Sequence, residues 1–174
     1  FQSQKYWHDL LLPVLRQDRP PTVPQAIVVQ DQQVLLVQRD TPRFWELPGG
    51  SMVPGETPEA TVVREVQEET GVHVEIMELL GWYERTGFRA HLSPVYVCCP
   101  RSGLSQAHDA DTVQARYFSL HRLPRGLCPW YRSMLQRDLL SPHPRPLHCT
   151  QHLGFRIVLH CIGLDLVGRL GLLS

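Results

Sequence analysis

The stretch from Gly50 to Val72 restricts what this chain can fold into more than any other part of the sequence. Thr57 followed by Pro58 is typical of a helix N-cap and a first helical residue, and Gly71 is typical of the position just past a helix end. The sequence therefore predicts a short helix between these signals. Its apolar residues, which can pack on a core, are Ala60, Val62, Val63 and Val66.

Acidic side chains are concentrated on one face of this predicted helix. Glu65, Glu68 and Glu69 are spaced i, i+3, i+4, so a helix places them on the same side. Like charges repel each other, and folding alone does not favour such a cluster. A hard divalent cation such as Mg²⁺ or Mn²⁺ does, because it takes carboxylate oxygens and leaves positions open for water and substrate phosphates. Arg64 precedes Glu68 by four residues and is expected to pair with it.

The same stretch resembles the signature of the Nudix hydrolases, which runs Gly, five residues, Glu, seven residues, Arg-Glu-apolar-any-Glu-Glu-any-Gly-apolar. The chain matches each constrained position, with Gly50, Glu56, Arg64, Glu65, Val66, Glu68, Glu69, Gly71 and Val72. A solvated acidic helix face is the alternative, but composition does not explain where the glycines and the arginine stand. The resemblance implies an α/β fold, a Nudix-type α/β/α sandwich with a mixed sheet, and it is strongest from about Gln25 to Leu140.

The resemblance also implies that carboxylates of this stretch hold Mg²⁺ or Mn²⁺, often with the carbonyl of the first glycine, here Gly50. Glu65 and Glu69 are the first candidate ligands because they lie i, i+4 on one stripe, and Glu68 is the third. Glu56 precedes the helix, so it is expected either to bind metal through water or to support the loop. Divalent metals neutralise phosphate charge, orient the phosphates and lower the pKa of a bound water.

Three residues before the signature are candidates for substrate binding. Arg39 and Arg43 can contact phosphate, because guanidinium binds it through two nitrogens, although both are equally typical of solvated positions at a strand end. Trp45 can stack on a base, although a tryptophan beside Leu47 is more typical of a core. The Pro-Gly-Gly run that follows predicts a turn whose backbone can approach phosphate closely.

The sequence leaves the general base open. The segment HDADTVQARYFSL resembles the family segment whose acidic residue often adds a metal ligand or a catalytic base. Asp109 and Asp111 are the only acids there, and both are as typical of a turn as of a site. Gln114 stands where family members frequently carry glutamate. Glu68, Asp109 and Asp111 therefore remain the candidates, and Arg64 is expected to orient Glu68.

Proline-rich segments divide the chain into three predicted parts. Residues 1–24 are predicted to form an N-terminal helix, near 5–16, followed by the linker DRPPTVP. Residues 25–140 are predicted to form the Nudix hydrolase domain. Residues 141–174 are predicted to be a second proline-rich linker and a C-terminal amphipathic helix that begins near Leu147.

Within the central part, alternating apolar residues predict most of a sheet. QAIVV and VLLVQR are typical of a hairpin around a turn at Asp31-Gln32. Further strands are expected near His73–Trp82, Ser93–Cys99 and Gln114–Ser119. A helix is then expected with its inward residues at Trp130, Tyr131, Met134 and Leu135.

The C-terminal helix is expected to carry a long apolar stripe. Its members are Phe155, Val158, Leu159, Ile162, Leu166, Leu170 and Leu173. Arg156, Asp165 and Arg169 interrupt the apolar run, which excludes a membrane span and disfavours an interfacial helix. The stripe is expected either to pack on its own domain or to pair with a partner, most simply a second copy in a homodimer.

Charge and cysteine content argue against several kinds of partner and compartment. The chain has 17 basic and 17 acidic residues, so no overall field favours nucleic acid or an anionic membrane. Five cysteines, an odd number without a CxxC pair, argue against a disulfide scaffold and predict a cytoplasmic protein. The first residues lack the pattern of a signal peptide, and no apolar run is long enough to span a bilayer.

These observations predict a metal-dependent hydrolase. It is expected to cleave the pyrophosphate bond of a nucleoside diphosphate linked to another moiety, by attack of water, with a small nucleotide as its partner. ADP-ribose, a nucleotide sugar and an oxidised nucleoside triphosphate all remain candidate substrates. The alternative is a Nudix-fold nucleotide or ADP-ribose sensor or regulator without turnover, which the complete carboxylate set disfavours.

Overall fold

A computed structural model describes residues 20–40, 43–87, 90–103, 105, 111–142 and 144–170. The N-terminal helix predicted near residues 5–16 lies outside these ranges. The elements in chain order are β1 (Gln25–Gln30), β2 (Gln33–Arg39), β3 (Trp45–Glu46), α1 (Pro58–Thr70), β4 (His73–Gly87), β5 (His91–Ser102), β6 (Thr112–Ser119), α2 (Pro129–Ser133), a π-helical turn (Met134–Asp138), β7 (Leu147–Leu153) and α3 (Phe155–Arg169).

The strands form one mixed sheet in the order β3-β2-β1-β5-β4-β7, and β6 pairs with β2. β1 runs parallel to β5 and β4 runs parallel to β7, whereas the other pairs are antiparallel. The predicted hairpin is confirmed: Asp31 and Gln32 have φ values of 49° and 60°, as a tight two-residue hairpin turn requires. The three later strands are confirmed and are longer than predicted, because pairing continues into the polar ends of each strand.

Helix α1 begins and ends where the sequence predicts. The Thr57 hydroxyl accepts a hydrogen bond from the backbone N–H of Ala60 at 3.2 Å, and Pro58 is the first helical residue. Gly71 has a φ of 70°, a left-handed conformation that glycine adopts without a steric penalty. These two ends set which side of α1 faces the sheet, and therefore where the carboxylates point.

Two apolar cores lie on opposite faces of the sheet. One packs α1 against the strands, with Val62 and Val66 of the helix buried among Val28, Leu35 and Val37. The other packs the sheet against α2, the π-helical turn and α3, and its largest members are Trp45, Tyr83, Tyr131 and Phe44. The predicted α/β/α sandwich with a mixed sheet and a C-terminal helical extension is confirmed.

The chain after Pro146 differs from the prediction in its first half. Residues 147–153 were expected to start a helix, but they form β7, which pairs in parallel with β4 along Gly81–Gly87. Along β7, partly buried and exposed residues alternate, as in a strand that has one face on the core. The sequence LHCTQHL begins with the same alternation of apolar and polar residues. Helix α3 begins only at Phe155, after Gly154.

Helix α3 packs with a different face from the predicted one. Val158 and Cys161 are buried in the second core, and Ile157 and Leu164 are partly buried against it. Much of the predicted stripe is exposed instead, namely Phe155, Leu159, Leu166 and Leu170, and Leu173 lies outside the described residues. Of the two alternatives for the stripe, packing on its own domain therefore fails for these exposed members, because Asp165 and Gly168 occupy buried positions that an apolar count overlooks. Pairing with a second copy stays a prediction.

Across the ranges that the structure describes, no helix has the length and apolar character needed to cross a lipid bilayer.

Candidate active site

Glu69 lies at the centre of a buried network between α1 and the Pro-Gly-Gly turn. Its side chain is 1% exposed, and its Oε2 accepts a hydrogen bond from the backbone N–H of Gly49 at 3.0 Å. Arg39 forms an ion pair with the same carboxylate. Burial raises the pKa of Glu69 to about 8, since the loss of solvation outweighs the attraction of Arg39.

Arg39 connects this network to three parts of the fold. Its Nη2 donates to the carbonyl of Gly49 at 2.9 Å, and its Nε donates to Glu46 of β3 at 2.6 Å. Together with the ion pair to Glu69, these contacts tie the end of β2 to β3, to the turn and to α1. Arg39 is therefore not a solvated strand-end arginine. In this conformation it fixes the position of the Glu69 carboxylate.

Glu65 approaches the same turn one residue further along. A Cβ atom added to Gly50 would lie 2.5 Å from the Glu65 carboxyl group, which is closer than real Cβ contacts allow. Gly50 therefore leaves the space that the Glu65 carboxylate occupies. The Glu65 and Glu69 side chains, predicted as the first two metal ligands, both reach the Gly49–Gly50 backbone.

Arg64 holds two other carboxylates, Glu56 and Glu68, and also contacts Glu65 of this pair. The predicted contact with Glu68 is confirmed, at 2.8 Å from Nη1, and the same nitrogen also donates to Glu65 at 2.9 Å. The principal partner is Glu56, which accepts from Nε at 2.8 Å and from Nη2 at 3.0 Å. Sequence reasoning missed the pairing of Arg64 with Glu56, although both are signature positions and so indicated a shared role.

Glu56 stabilises the loop before α1. Besides Arg64, it accepts a hydrogen bond from the Thr61 hydroxyl at 2.7 Å and from the backbone N–H of Val53 at 3.2 Å. The hydrogen bonds from Arg64 and Thr61 lower the pKa of Glu56 from 4.5 to about 2. Of the two roles the sequence left open for Glu56, these contacts supply the support of the loop.

We expect Glu56→Gln to destabilise the fold in a pH-dependent way. Because the pKa of Glu56 is lower in the folded chain than its ordinary value, ionised Glu56 stabilises the fold above about pH 4.5. That contribution is lost as the pH falls through about 2. Thermal unfolding should therefore show a lower Tm for the variant at pH 7 and a shrinking difference in acid. Glu84→Gln, an exposed change on β4, is the control, and a pH-independent difference would contradict the assignment.

We expect Arg64→Lys to lose at least about tenfold in kcat/KM. An ammonium cannot contact both oxygens of Glu56 and still reach Glu65 and Glu68, so the carboxylates lose their common anchor. The measurement is activity over a series of Mg²⁺ concentrations. The variant should need a higher Mg²⁺ concentration for half-maximal activity, in addition to its lower rate. Arg101→Lys is the matched control, because Arg101 pairs with Glu75 on an exposed surface. Near-normal activity and metal dependence in Arg64→Lys would show that the anchoring is unimportant.

The carboxylates fit a hard divalent cation in chemistry, although arginines hold them in this conformation. Among the described residues, no three His, Cys, Asp or Glu side chains are gathered as a ready-made metal site. The side chains at the Gly49–Gly50 turn nevertheless offer carboxylate oxygens, from Glu65 at Gly50 and from Glu69 at Gly49, and the missing side chain of Gly50 leaves the turn open toward Glu65. Oxygen donors of this kind suit Mg²⁺, Mn²⁺ and similar ions.

The other two predicted substrate contacts, Trp45 and Arg43, lie in different environments. Trp45 is 2% exposed, and its ring packs edge-on against Phe118 with centroids 4.7 Å apart. This burial corrects the substrate-binding assignment of Trp45, since no ring face is open to a base. Arg43 is partly exposed and pairs with Asp40 at 2.7 Å, whereas its Nε is buried without a hydrogen-bond partner in the described part of the chain.

The acidic candidates for the general base lie in different surroundings. Glu68 has a side chain that is 55% exposed on α1. Asp111 is exposed where β6 begins, and its carbonyl accepts from the backbone N–H of Asp40, next to Arg39. Asp109 lies outside the described residues. Gln114, which replaces the glutamate frequent in the family, is partly buried and pairs with Gln38 of β2.

A further residue near the site was not predicted. Asp165 of α3 is 3% exposed, and its Oδ1 accepts a hydrogen bond from the backbone N–H of Arg43 at 2.6 Å. Its Oδ2 accepts from Arg169 at 3.1 Å. Asp165 was read only as an interruption of an apolar stripe, and no local pattern relates it to a position more than a hundred residues earlier.

Comparisons with known proteins agree with this fold and site. The sequence model of the NUDIX domain matches residues 19–138, which is more than half of the chain. The chain belongs to the Nudix hydrolase family. A solved structure of a Nudix hydrolase from Nitrosomonas europaea superposes with a TM-score of 0.66 at 22% identity, covering 79% of this chain and 82% of that one, a likeness of fold.

Curated relatives are similar over the same region. A MutT-like protein of Streptomyces ambofaciens is 40% identical over 92 residues, which cover 53% of this chain and 59% of that protein. An ADP-ribose pyrophosphatase of Methanocaldococcus jannaschii is 36% identical over 112 residues, which cover 61% of this chain and 66% of that protein. The alignments thus span less than two thirds of each relative's length.

Proposed function

We propose that this chain is a metal-dependent pyrophosphohydrolase that cleaves a nucleoside diphosphate linked to another moiety, by attack of water on the pyrophosphate bond. The observation that carries the proposal is the convergence of the Glu65 and Glu69 carboxylates on the Gly49–Gly50 turn. Arg39 and Arg64 hold these carboxylates from two sides. The family match and the named pyrophosphatase relative support the reaction class.

In this proposal Glu65 and Glu69 hold the metal, the Gly50 carbonyl contributes, and Glu68 serves either as a third ligand or as the general base. Glu56 ligates through water or acts only through the loop that it stabilises. The cofactor is Mg²⁺ or Mn²⁺, which when bound neutralises phosphate charge and lowers the pKa of a water. Arg39 fixes the Glu69 carboxylate through its ion pair, and Arg64 fixes Glu65 and Glu68 through its Nη1.

Glu68 is the first choice for the residue that takes the proton from the attacking water. It shares α1 with Glu65, and its exposed carboxylate is held at 2.8 Å by Arg64, so it is both oriented and open to solvent. Asp109 and Asp111 remain alternatives, and Asp111 immediately precedes β6 beside the end of β2. Separate Glu68→Gln and Asp111→Asn variants would rank them by the loss in kcat.

For the substrate, Arg43 supplies a buried Nε–H donor that has no hydrogen-bond partner among the described residues, which suits a phosphate oxygen. Arg39 is proposed as a second contact, with its ion pair to Glu69 already in place. ADP-ribose is the first compound to test, because one relative is named for that activity. Nucleotide sugars and oxidised nucleoside triphosphates belong in the same panel.

The test is phosphate release from that panel with Mg²⁺ or Mn²⁺. A coupling phosphatase detects monoester products, and inorganic pyrophosphatase detects released pyrophosphate. We expect metal-dependent turnover of at least one diphosphate derivative and none in excess EDTA. Folded protein that binds a nucleotide but turns over none of the panel would favour the sensor alternative and overturn the proposed hydrolase.

We also propose that α3 pairs with a second copy of the chain. Phe155, Leu159, Leu166 and Leu170 form an exposed apolar stripe along α3, and Gly163, with open space at its Cβ position, lies on the same side. Light scattering over a concentration series should show a dimer for wild type and a monomer for Leu166→Lys. Leu140→Lys, an equally exposed leucine off the helix, is the control. A wild-type monomer throughout the series would contradict this proposal.

A cytoplasmic location is part of the proposal, supported by five cysteines that are all free. The proposed partner is a small nucleotide, without nucleic acid or a membrane. The domain boundaries at residues 24 and 140 stay a prediction. β7 joins the same sheet as the strands between these boundaries, and α3 packs on its core.

A further inference from the structure

Arg85 is a buried cation that the reaction described above does not use. It lies on β4 and is 3% exposed. Its Nε donates to Gln151 at 3.2 Å, its Nη2 donates to Gln25 at 3.0 Å, and its Nη1 lies 2.9 Å from Nε2 of His91. These are neutral acceptors, since a guanidinium has no lone pair and the facing His91 nitrogen must accept.

No carboxylate in the described ranges pairs with Arg85. The guanidinium carbon lies 5.0 Å from the ring centroids of Trp130 and of Tyr131, so aromatic faces supply much of its remaining surroundings. Two of its five N–H groups have no acceptor in the part of the chain that the structure describes. Buried charges are normally paired, because removing a charge from water is costly. Neutral hydrogen-bond acceptors and two aromatic rings surround the Arg85 guanidinium, and no described carboxylate balances its positive charge.

A single residue, Gln25, connects this cation to the Gly49–Gly50 turn. Gln25, which accepts from Arg85 and from the Ser93 hydroxyl, forms a backbone bridge with Gly49. A Cβ atom on Gly49 would lie 2.8 Å from the Cα atom of Gln25 and 3.1 Å from its Cγ atom. The turn that carries Gly49 and Gly50 therefore rests directly on the Arg85 cluster, which consists of Gln25, Arg85, His91, Trp130 and Gln151.

The outer members of the Arg85 cluster are partly exposed. His91, Trp130 and Gln151 are each intermediate in burial, whereas Arg85 lies beneath them. The indole N–H of Trp130 is a second, independent indication of a ligand, because its nitrogen is buried and has no hydrogen-bond partner among the described residues. A buried donor normally meets an acceptor, and an uncompensated guanidinium next to it favours an oxygen acceptor with negative charge.

We propose that Arg85 is a specificity-determining residue that, with Trp130, binds the part of the substrate beyond its diphosphate. That part presents carbonyl or anionic oxygens to the Arg85 guanidinium and an oxygen acceptor to the indole N–H of Trp130. The inference rests on the proposed function, because it assigns the second half of the same substrate. Arg85 takes no part in breaking the pyrophosphate bond, whose proposed metal ligands lie on the other side of the turn.

The test separates affinity for the attached moiety from affinity for the diphosphate. The KM for ADP-ribose with Mg²⁺ reports both, whereas the Ki of imidodiphosphate, a diphosphate analogue without an attached moiety, reports only the second. Arg85→Met removes the charge at similar volume and should raise the KM by on the order of 30-fold or more. The Ki of imidodiphosphate and the kcat should change less than about threefold.

Arg85→Lys covers the case in which Arg85→Met does not fold. It keeps the charge and loses the planar fork, so the KM should still rise while the Ki does not. Arg101→Met, on an exposed surface of β5, is the control. An unchanged KM, or a parallel rise of KM and Ki, would show that Arg85 is only structural. If another diphosphate derivative of the panel is the better substrate, its KM replaces that of ADP-ribose. Wild-type protein that turns over none of the panel and does not bind imidodiphosphate would instead overturn the proposed function.

Discussion

Glu69→Gln should lower kcat by on the order of 10²-fold or more while leaving the fold intact. The substitution keeps the shape of the side chain, and the amide oxygen can still accept from the backbone N–H of Gly49. It removes the negative charge that the proposed metal requires and that pairs with Arg39. Because Glu69 is buried and its pKa is raised to about 8, the neutral amide should not greatly destabilise the core.

The comparison needs a matched glutamate that lies outside the site. Glu75 is exposed on β4 and pairs with Arg101, so Glu75→Gln should retain wild-type turnover. Steady-state kinetics at several Mg²⁺ concentrations, with circular dichroism on the same samples, would separate loss of chemistry from loss of fold. Full turnover by Glu69→Gln, or by wild type in excess EDTA, would rule out a metal role for this face of α1.

Stopping the chain after Leu140 should lower Tm by more than about 10 °C. The truncation removes β7, which pairs with β4 over seven residues, and it removes α3, which covers Cys128. Leu153, Val158 and Cys161 leave the core, and each buried apolar side chain contributes about 1.5–3 kcal/mol. The total is a large share of the roughly 5–15 kcal/mol that stabilises a domain.

The same sample tests whether the tail contributes to catalysis. Any truncated protein that stays folded should keep much of its metal-dependent kcat, because the carboxylates lie on α1 and in the preceding loop. Its KM should rise, since the Asp165 contact to Arg43 is lost. A chain stopped after Leu170 is the control. An unchanged Tm would contradict the packing argument, and a stable truncation with no activity would place the tail in the active site.

Much of the central fold could be predicted because its signals are local. The ends of α1 follow from Thr57, Pro58 and Gly71, and the first hairpin follows from two apolar runs around Asp31-Gln32. The sequence does not predict the strand at residues 147–153, because it lies between a proline-rich segment and a helix. Its alternation of apolar and polar residues is too short to be distinguished from the start of that helix. Parallel pairing with β4 stabilises it, and a pairing partner 66 residues away leaves no local trace.

The site was predictable to the extent that its residues share one helix. The spacing of Glu65, Glu68 and Glu69 and the contact of Arg64 with Glu68 follow from helix geometry. The contacts of Arg39 with Glu69 and of Asp165 with Arg43 join distant segments, so no spacing rule identifies them. Trp45 illustrates the opposite problem, since an aromatic side chain suits a core and a base-binding surface equally well until burial is known.

The bond from the Arg43 backbone to Asp165 joins two regions with different constraints. Arg43 lies within the part of the chain that matches the family, whereas Asp165 lies beyond residue 138, where that match ends. Changes in the tail can therefore shift the main chain at Arg43, a proposed substrate contact, without altering any signature residue. In the proposed hydrolase, replacing the tail while keeping every signature residue is therefore expected to alter the substrate preference.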